Sequence, residues 1–223
     1  VPKGATYTTS GMTLTINDGR KVTATVKNVT GYTTKLSSWS PSSGTVNAAT
    51  KVTANFSRST NTYTIAFNNN GGSGTMASMS MTYGTAKNLT SNTFTRSGYT
   101  FFGWSTNKDA TTATYTNGQS VNNLSSTNGA TVTLYALWKK TVTITYNANN
   151  GSGAPSASSG TLYNAQASVS ITLSSTKPSR TGYTFNGWST SSTATSASYQ
   201  PGTAYSFSDS TTLYAVWGRN SYT

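Results

Sequence analysis

Apolar and polar residues alternate with period two in several short runs along this chain. Tyr63, Ile65 and Phe67 fall on one side and Thr64, Ala66 and Asn68 on the other. Val142, Ile144 and Tyr146 repeat the pattern against Thr143 and Thr145. Such alternation predicts strands with one buried face. Each run leads into an Asn/Gly-rich segment, NNNGGSG at 68–74 or NANNGSG at 147–153, whose residues tolerate positive φ and read as turns. Near the N-terminus, MTLTINDGRKVTATV reads as a hairpin. A three-residue loop, Asn17-Asp18-Gly19 with Gly19 left-handed, pairs Leu14 with Val22 and Met12 with Ala24, keeping apolar positions on one face. No segment has the period of a long amphipathic helix; residues 84–92, 119–125 and 165–173 have room for a helical turn or two.

The pattern is written twice. GYTFFGWST at 98–106 recurs as GYTFNGWST at 182–190, differing only at Phe102 and Asn186. LYALW at 134–138 recurs as LYAVW at 213–217. The equivalent units run from 63 to 138 and from 142 to 217, with shared ends and a longer interior before Arg180 in the second. Residues 1–60 are a looser relative, in which GYTTKLSSWS at 31–40 echoes the nonapeptide and KVTANF at 51–56 ends the unit. The organisation expected is a divergent β module at 1–60, repeats at 61–140 and 141–218, and at 219–223 the opening of a further repeat. Asn220-Ser221-Tyr222-Thr223 mirrors Asn61-Thr62-Tyr63-Thr64, which points to a longer array. The joint after Trp138 is only Lys139, Lys140 and Thr141, too short for free interdomain motion.

Composition reinforces a mainly β reading, α+β at most. Ser and Thr supply more than a third of the residues, Tyr is abundant, and Glu is absent. The net charge of +12 is scattered in single residues, without the basic stripe a nucleic-acid binder concentrates on one face, so no nucleic-acid partner is expected. A weak attraction to anionic surfaces remains open. No apolar run approaches the length of a membrane-spanning helix, and no membrane insertion is expected.

The inventory argues against catalysis. The chain has no His and no Cys, so the commonest acid–base, nucleophilic and metal-ligand groups are missing; neither catalytic residues, metal nor cofactor is expected. Asp18, Asp109 and Asp209 lie one per module, which excludes a carboxylate pair within a module. Lys–Asn isopeptide crosslinks need a buried acid, whereas Asp18 and Asp109 read as solvated turn residues, so none are expected. Five N-x-S/T sequons, from Asn28 to Asn150, are what a chain this rich in Asn, Ser and Thr forms by chance.

The aromatic nonapeptide admits two readings, a binding site or a core. Regular alternation sets Tyr99, Phe101 and Gly103 on one face and Phe102 with Trp104 on the other. A bulge at Gly103 would turn Trp104 inward. Because Leu, Ile and Val are sparse, the bulge and core are favoured. The expected core residues are then Tyr99, Phe101, Gly103, Trp104 and Trp138, with Tyr183, Phe185, Gly187, Trp188 and Trp217 in the second repeat. Phe102 is the candidate for surface contact, because its counterpart is Asn186.

Asn70-Gly71-Gly72, Arg96-Ser97-Gly98-Tyr99-Thr100-Phe101, Gly103-Trp104 and Leu134–Trp138 together resemble the Listeria–Bacteroides repeat, or internalin B-repeat. Arg180–Phe185, Gly187-Trp188 and Leu213–Trp217 carry the second copy, which departs at the opening turn, where Asn150 replaces Gly71. The resemblance implies small β-grasp-like modules in an elongated array, on secreted or wall-attached bacterial surface proteins, and no catalytic residues. The function expected is a non-enzymatic extracellular stalk or adhesin module whose partners are neighbouring repeats and, beyond them, a host or cell-surface protein or an anionic glycan. A subunit of a self-assembled fibre is the alternative, and a glycan-binding module the third reading.

Overall fold

A computed structural model describes residues 6–10, 12–16, 21–45 and 51–221. Its strands in chain order are β1 (Thr6–Ser10), β2 (Thr13–Ile16), β3 (Lys21–Thr23), β4 (Tyr32–Ser40), β5 (Ser43–Thr45), β6 (Thr53–Thr60), β7 (Thr62–Asn68), β8 (Met79–Thr82) and β9 (Lys87–Asn88). They continue as β10 (Thr100–Ser105), β11 (Ser120–Val121), β12 (Thr131–Asn147), β13 (Ser158–Tyr163), β14 (Val169–Thr172), β15 (Tyr183–Ser189), β16 (Ala204–Phe207) and β17 (Thr211–Arg219). Among the described residues there is no helix, and so none long and apolar enough to cross a membrane. The fold is mainly β.

The three segments with room for a helical turn form short strands instead. They hold β9, β11 and β14, which pair as the ribbons β9–β11 and β14–β16. Each ribbon turns one apolar face inward through Leu89 and Val121, or through Ile171, Leu173 and Phe207. Val169, Ile171 and Leu173 alternate with period two, and pairing satisfies backbone groups that an isolated turn would leave to water.

The chain divides into two compact units, residues 1–67, 77–91 and 118–133, and residues 68–76, 92–117 and 134–223. In the first, β3-β2-β1-β5 form one sheet. Leu14 pairs with Val22, and Ala24 N–H donates to Met12 O (2.8 Å), the register of a three-residue loop. The loop itself lies outside the described residues. β4 and β6 form a long hairpin, and β7 pairs with β8 so that Tyr63, Ile65, Met79 and Met81 are buried. Only Asn61 separates β6 from β7, and it is buried with every backbone and side-chain polar function engaged. Its N–H donates to Gly31 O (2.8 Å) and its C=O accepts from Tyr83 N–H (2.9 Å). Its side-chain oxygen accepts from Thr33 Oγ1 (2.5 Å), and its Nδ2 donates to Ser126 O (2.7 Å).

In the second unit β12 is the axis. Its residues from Tyr135 to Lys139 pair with β10, those from Lys139 to Ile144 with β13, and those from Ile144 to Asn147 run parallel to β17. β15 closes the order β13-β12-β17-β15, antiparallel to β17. Ribbon β14–β16 covers this sheet, burying Val142, Ile144, Leu162, Trp188 and Leu213 between the layers. Each such side chain contributes on the order of 1.5–3 kcal/mol on burial. One strand thus ends the first repeat and begins the second with no linker between them.

Candidate functional site

The nonapeptide is built around a bulge. In repeat one Phe101 pairs with Trp138 and Gly103 with Leu137, so Phe102 is the extra residue; in repeat two the extra residue is Asn186. Gly103 and Gly187 take φ of 144° and 129°, and a Cβ on Gly103 would lie 2.5 Å from Ala113 Cβ and 2.7 Å from Tyr115 O. The bulge shifts parity, bringing Phe101 and Trp104 to the same face with ring centroids 5.0 Å apart and edge-to-face. Phe185 and Trp188 repeat this at 5.0 Å.

The preceding RSGY and RTGY segments are turns. Tyr99 N–H donates to Arg96 O (3.1 Å) across left-handed Gly98, and the Arg96 guanidinium lies 4.0 Å from the centre of the Tyr99 ring. Arg180 and Tyr183 do the same at 3.8 Å. The opening turns are tied just as closely. Left-handed Asn70 donates its Nδ2 to Lys108 O (2.7 Å) and Ala136 O (3.0 Å); left-handed Asn149 donates to Ser192 O (2.8 Å) and Ala215 O (2.9 Å). Trp138 and Trp217 donate their indole N–H groups back to this turn, to Asn69 O (2.8 Å) and Ala148 O (3.0 Å). Gly72 fits beneath the Trp138 ring, where a Cβ would come within 2.8 Å.

The expected core residues divide by depth. Trp104, Trp138, Trp188, Gly103 and Gly187 are buried, whereas Tyr99, Phe101, Tyr183, Phe185 and Trp217 are half-buried. Trp138, beside the continuing strand, is 1% exposed.

Phe102 does not project into solvent. It is half-buried, with its ring edge-on to Tyr163 of the second repeat at 5.6 Å and the Lys139 ammonium 5.9 Å from its centre. Asn186 is exposed. The position that distinguishes the repeats therefore faces the following module in repeat one.

Asn164 is the residue the sequence reading missed. It is buried and left-handed at φ 49°, accepts from Trp138 N–H through Oδ1 (3.0 Å), and donates Nδ2 to Ala110 O (2.6 Å) and its own N–H to Trp138 O (2.8 Å). It stitches the second repeat to the first. Its place directly after Tyr163, at the end of a strand, was its one signal, and Asn is common throughout this chain.

Electrostatics add one tie. Lys140 pairs with Asp209 and donates to Ser208 O (3.3 Å), and the Lys140 hydrogen bond and charge hold the Asp209 carboxyl below the usual carboxylate range. Asp109 is exposed and pairs with neighbouring Lys108 at 2.8 Å. Among the described residues no three His, Cys, Asp or Glu come together as a metal site. What the geometry offers is contact between modules.

The Listeria-Bacteroides repeat domain matches residues 63–137 and 143–216. The chain is also similar to a protein of Evansella cellulosilytica named "Putative Gly-rich membrane protein", at 32% identity over 130 residues. That stretch is 57% of this chain and only 15% of the relative's length. The repeat is a non-catalytic domain type associated with cell surfaces, and this chain belongs to the Listeria–Bacteroides repeat family.

Proposed function

We propose that this chain is a non-enzymatic, extracellular stalk and adhesin segment of a bacterial surface protein, whose repeats transmit tension from one to the next. The observation that carries the reading is the pair β12 and β17. The strand entering repeat two and the strand leaving it run parallel and hydrogen-bonded, Ile144 against Thr211 through Asn147 against Tyr214. Tension applied through the two ends of the repeat loads this ladder in shear, along the strands, so its hydrogen bonds must fail together rather than unzip singly. Continuity of β12 and the Phe102–Tyr163 contact support direct transfer between modules.

Single-molecule pulling between the chain termini tests the proposal. Two discrete high-force events, one per repeat, are expected. Unfolding of both repeats at forces no higher than a simple unzipping hairpin requires would overturn the stalk reading. A second experiment separates the fibre alternative: sedimentation independent of concentration fits a stalk, while assembly on raising the concentration fits a subunit.

A further inference from the structure

The hairpin β4–β6 follows the same plan as β10–β12 and β15–β17. Leu36 pairs with Phe56 and Ser38 with Asn55, so it carries one extra residue just before Trp39, as the repeats do before Trp104 and Trp188. The module differs in the depth of that tryptophan, half-buried here and fully buried in the repeats. In the repeats the chain between the two strands, residues 106–130 or 190–210, returns to pair with the backbone of the tryptophan. Trp104 and Tyr115 there exchange backbone hydrogen bonds (2.8 and 3.0 Å), as do Trp188 and Tyr199. In the N-terminal module the corresponding connection, residues 41–52, is about half as long. Trp39 is only half-buried and lines an open groove of about 650 Å³, with Leu36, Met12 and Val26 as its other apolar walls.

A second hollow of about 160 Å³ adjoins it and shares Val26 and Thr34. Phe56, 42% exposed, lines this one together with Lys27 and Arg58. Thr34 lines both, and among the described residues its buried Oγ1 has no hydrogen-bond partner. A ligand oxygen would relieve a buried hydroxyl left without a partner. Lys35 joins Lys27 and Arg58 around the two hollows, and residues 21–60 contain no Asp or Glu. Ser38 accepts from Asn55 Nδ2 (3.2 Å), which leaves its own O–H to donate at the rim.

We propose that this groove binds an acidic oligosaccharide. Trp39 and Phe56 offer aromatic faces to the C–H surfaces of pyranose rings, Thr34 and the rim serines meet ring hydroxyls, and the three cations meet carboxylate or sulfate groups. A purely apolar ligand would leave the cations and Thr34 unanswered. A nucleic-acid strand calls for a longer run of cations than three around two hollows. The inference deepens the adhesin part of the proposed function and leaves the tension-bearing part untouched.

The test titrates the whole chain with a sulfated hexasaccharide, a polygalacturonate hexasaccharide, neutral cellohexaose and a single-stranded oligonucleotide of equal charge. Binding of at least one acidic hexasaccharide at least tenfold tighter than cellohexaose and the oligonucleotide is expected. Trp39→Ala should weaken it at least tenfold, Thr34→Val about threefold to tenfold, and Lys35→Gln should reduce its salt dependence, while Phe102→Ala leaves it unchanged. Thr34→Val keeps the side-chain volume, so it reads the site even where Trp39→Ala disturbs the module. Equal affinity in Trp39→Ala and Thr34→Val, equal or tighter binding of the oligonucleotide, or no binding of either acidic sugar would overturn the proposal. Loss of sugar binding with pulling forces intact would remove the ligand site and leave the stalk.

Discussion

Phe102 stands edge-on to Tyr163, ring centroids 5.6 Å apart at 66°, so the one residue that distinguishes the two nonapeptides is a contact between repeats. An edge-to-face pair is worth about 0.5–1.5 kcal/mol beyond the area it buries. Phe102→Asn should destabilise the chain by about 1–2 kcal/mol, and a double-mutant cycle with Tyr163→Ala should recover a coupling of about 0.5–1.5 kcal/mol. Strict additivity of the two substitutions in urea denaturation would show that the rings do not couple. Phe102→Asn should also separate the unfolding of the two repeats by making their transitions less coincident.

The glycines of the nonapeptide make a second prediction, a contrast within one strand entry. Gly103 has φ of 144° and lies against Ala113 and Tyr115 O, whereas Gly98 has φ of 73° and nothing within 4 Å of the place a Cβ would occupy. Gly98→Ala meets only the left-handed backbone penalty, about 1 kcal/mol. Gly103→Ala adds a clash with backbone, and its cost should exceed that of Gly98→Ala by about 1–3 kcal/mol. Denaturation midpoints of the two variants, measured side by side, check the order; equal midpoints would mean the bulge relaxes freely.

Much of this was legible in the chain, and the reasons it stopped where it did are local. Alternation gave Tyr63, Ile65, Val142 and Ile144 their buried face, and the Leu14–Val22 register followed from which pairing kept apolar residues together. The continuity of β12 was equally present in the pattern. Leu134, Ala136, Trp138, Val142, Ile144 and Tyr146 keep one parity, with Lys140 the single polar member, yet two adjacent lysines read as a joint. Lys140 is tolerated on that face because its stem is largely covered while its ammonium reaches Asp209. Asn164 was not legible, because what makes it matter is the approach of Trp138 and Ala110 from the preceding repeat, and sequence spacing does not encode that meeting.

Asn164 therefore supplies a third prediction. Asn164→Ala removes the acceptor for Trp138 N–H and the donor to Ala110 O, and places a non-glycine residue without a local hydrogen bond at φ 49°. Leaving these buried groups unpaired should cost about 2–4 kcal/mol in total. Hydrogen exchange at the Trp138 amide should accelerate by a similar factor in free energy. A variant as stable as the parent, with the amide still protected, would show that water replaces the side chain without loss.

The two repeat-closing tryptophans differ in depth, and stability should follow depth rather than sequence equivalence. Trp138 is 1% exposed, holds Asn69 O with its indole and touches Phe101 at 5.8 Å. Trp217 keeps the same partners in Ala148 and Phe185 but is half-buried. Trp138→Ala should cost about 3–5 kcal/mol, and Trp217→Ala measurably less. Intrinsic fluorescence should report the same difference, with a blue-shifted, quencher-protected contribution lost in Trp138→Phe and a more accessible one lost in Trp217→Phe.

Acid should act through Asp209 in one direction only. Its carboxyl is held below its ordinary range, first by the hydrogen bond from Lys140 and then by the Lys140 charge, so the folded chain binds its proton less readily than the unfolded chain does. The pair's stabilisation is therefore fully present above the ordinary carboxylate range and lost as pH falls through the depressed folded value. Asp209 is exposed to solvent, so the effect is small and screened by salt. Asp209→Asn should lower the melting temperature slightly at neutral pH in low salt, and the difference from the parent should shrink as pH drops below the carboxylate range or as salt is raised. A difference that persists undiminished in acid would assign the loss to the hydrogen bond from Ser208 Oγ (3.2 Å) and the loop geometry rather than to charge.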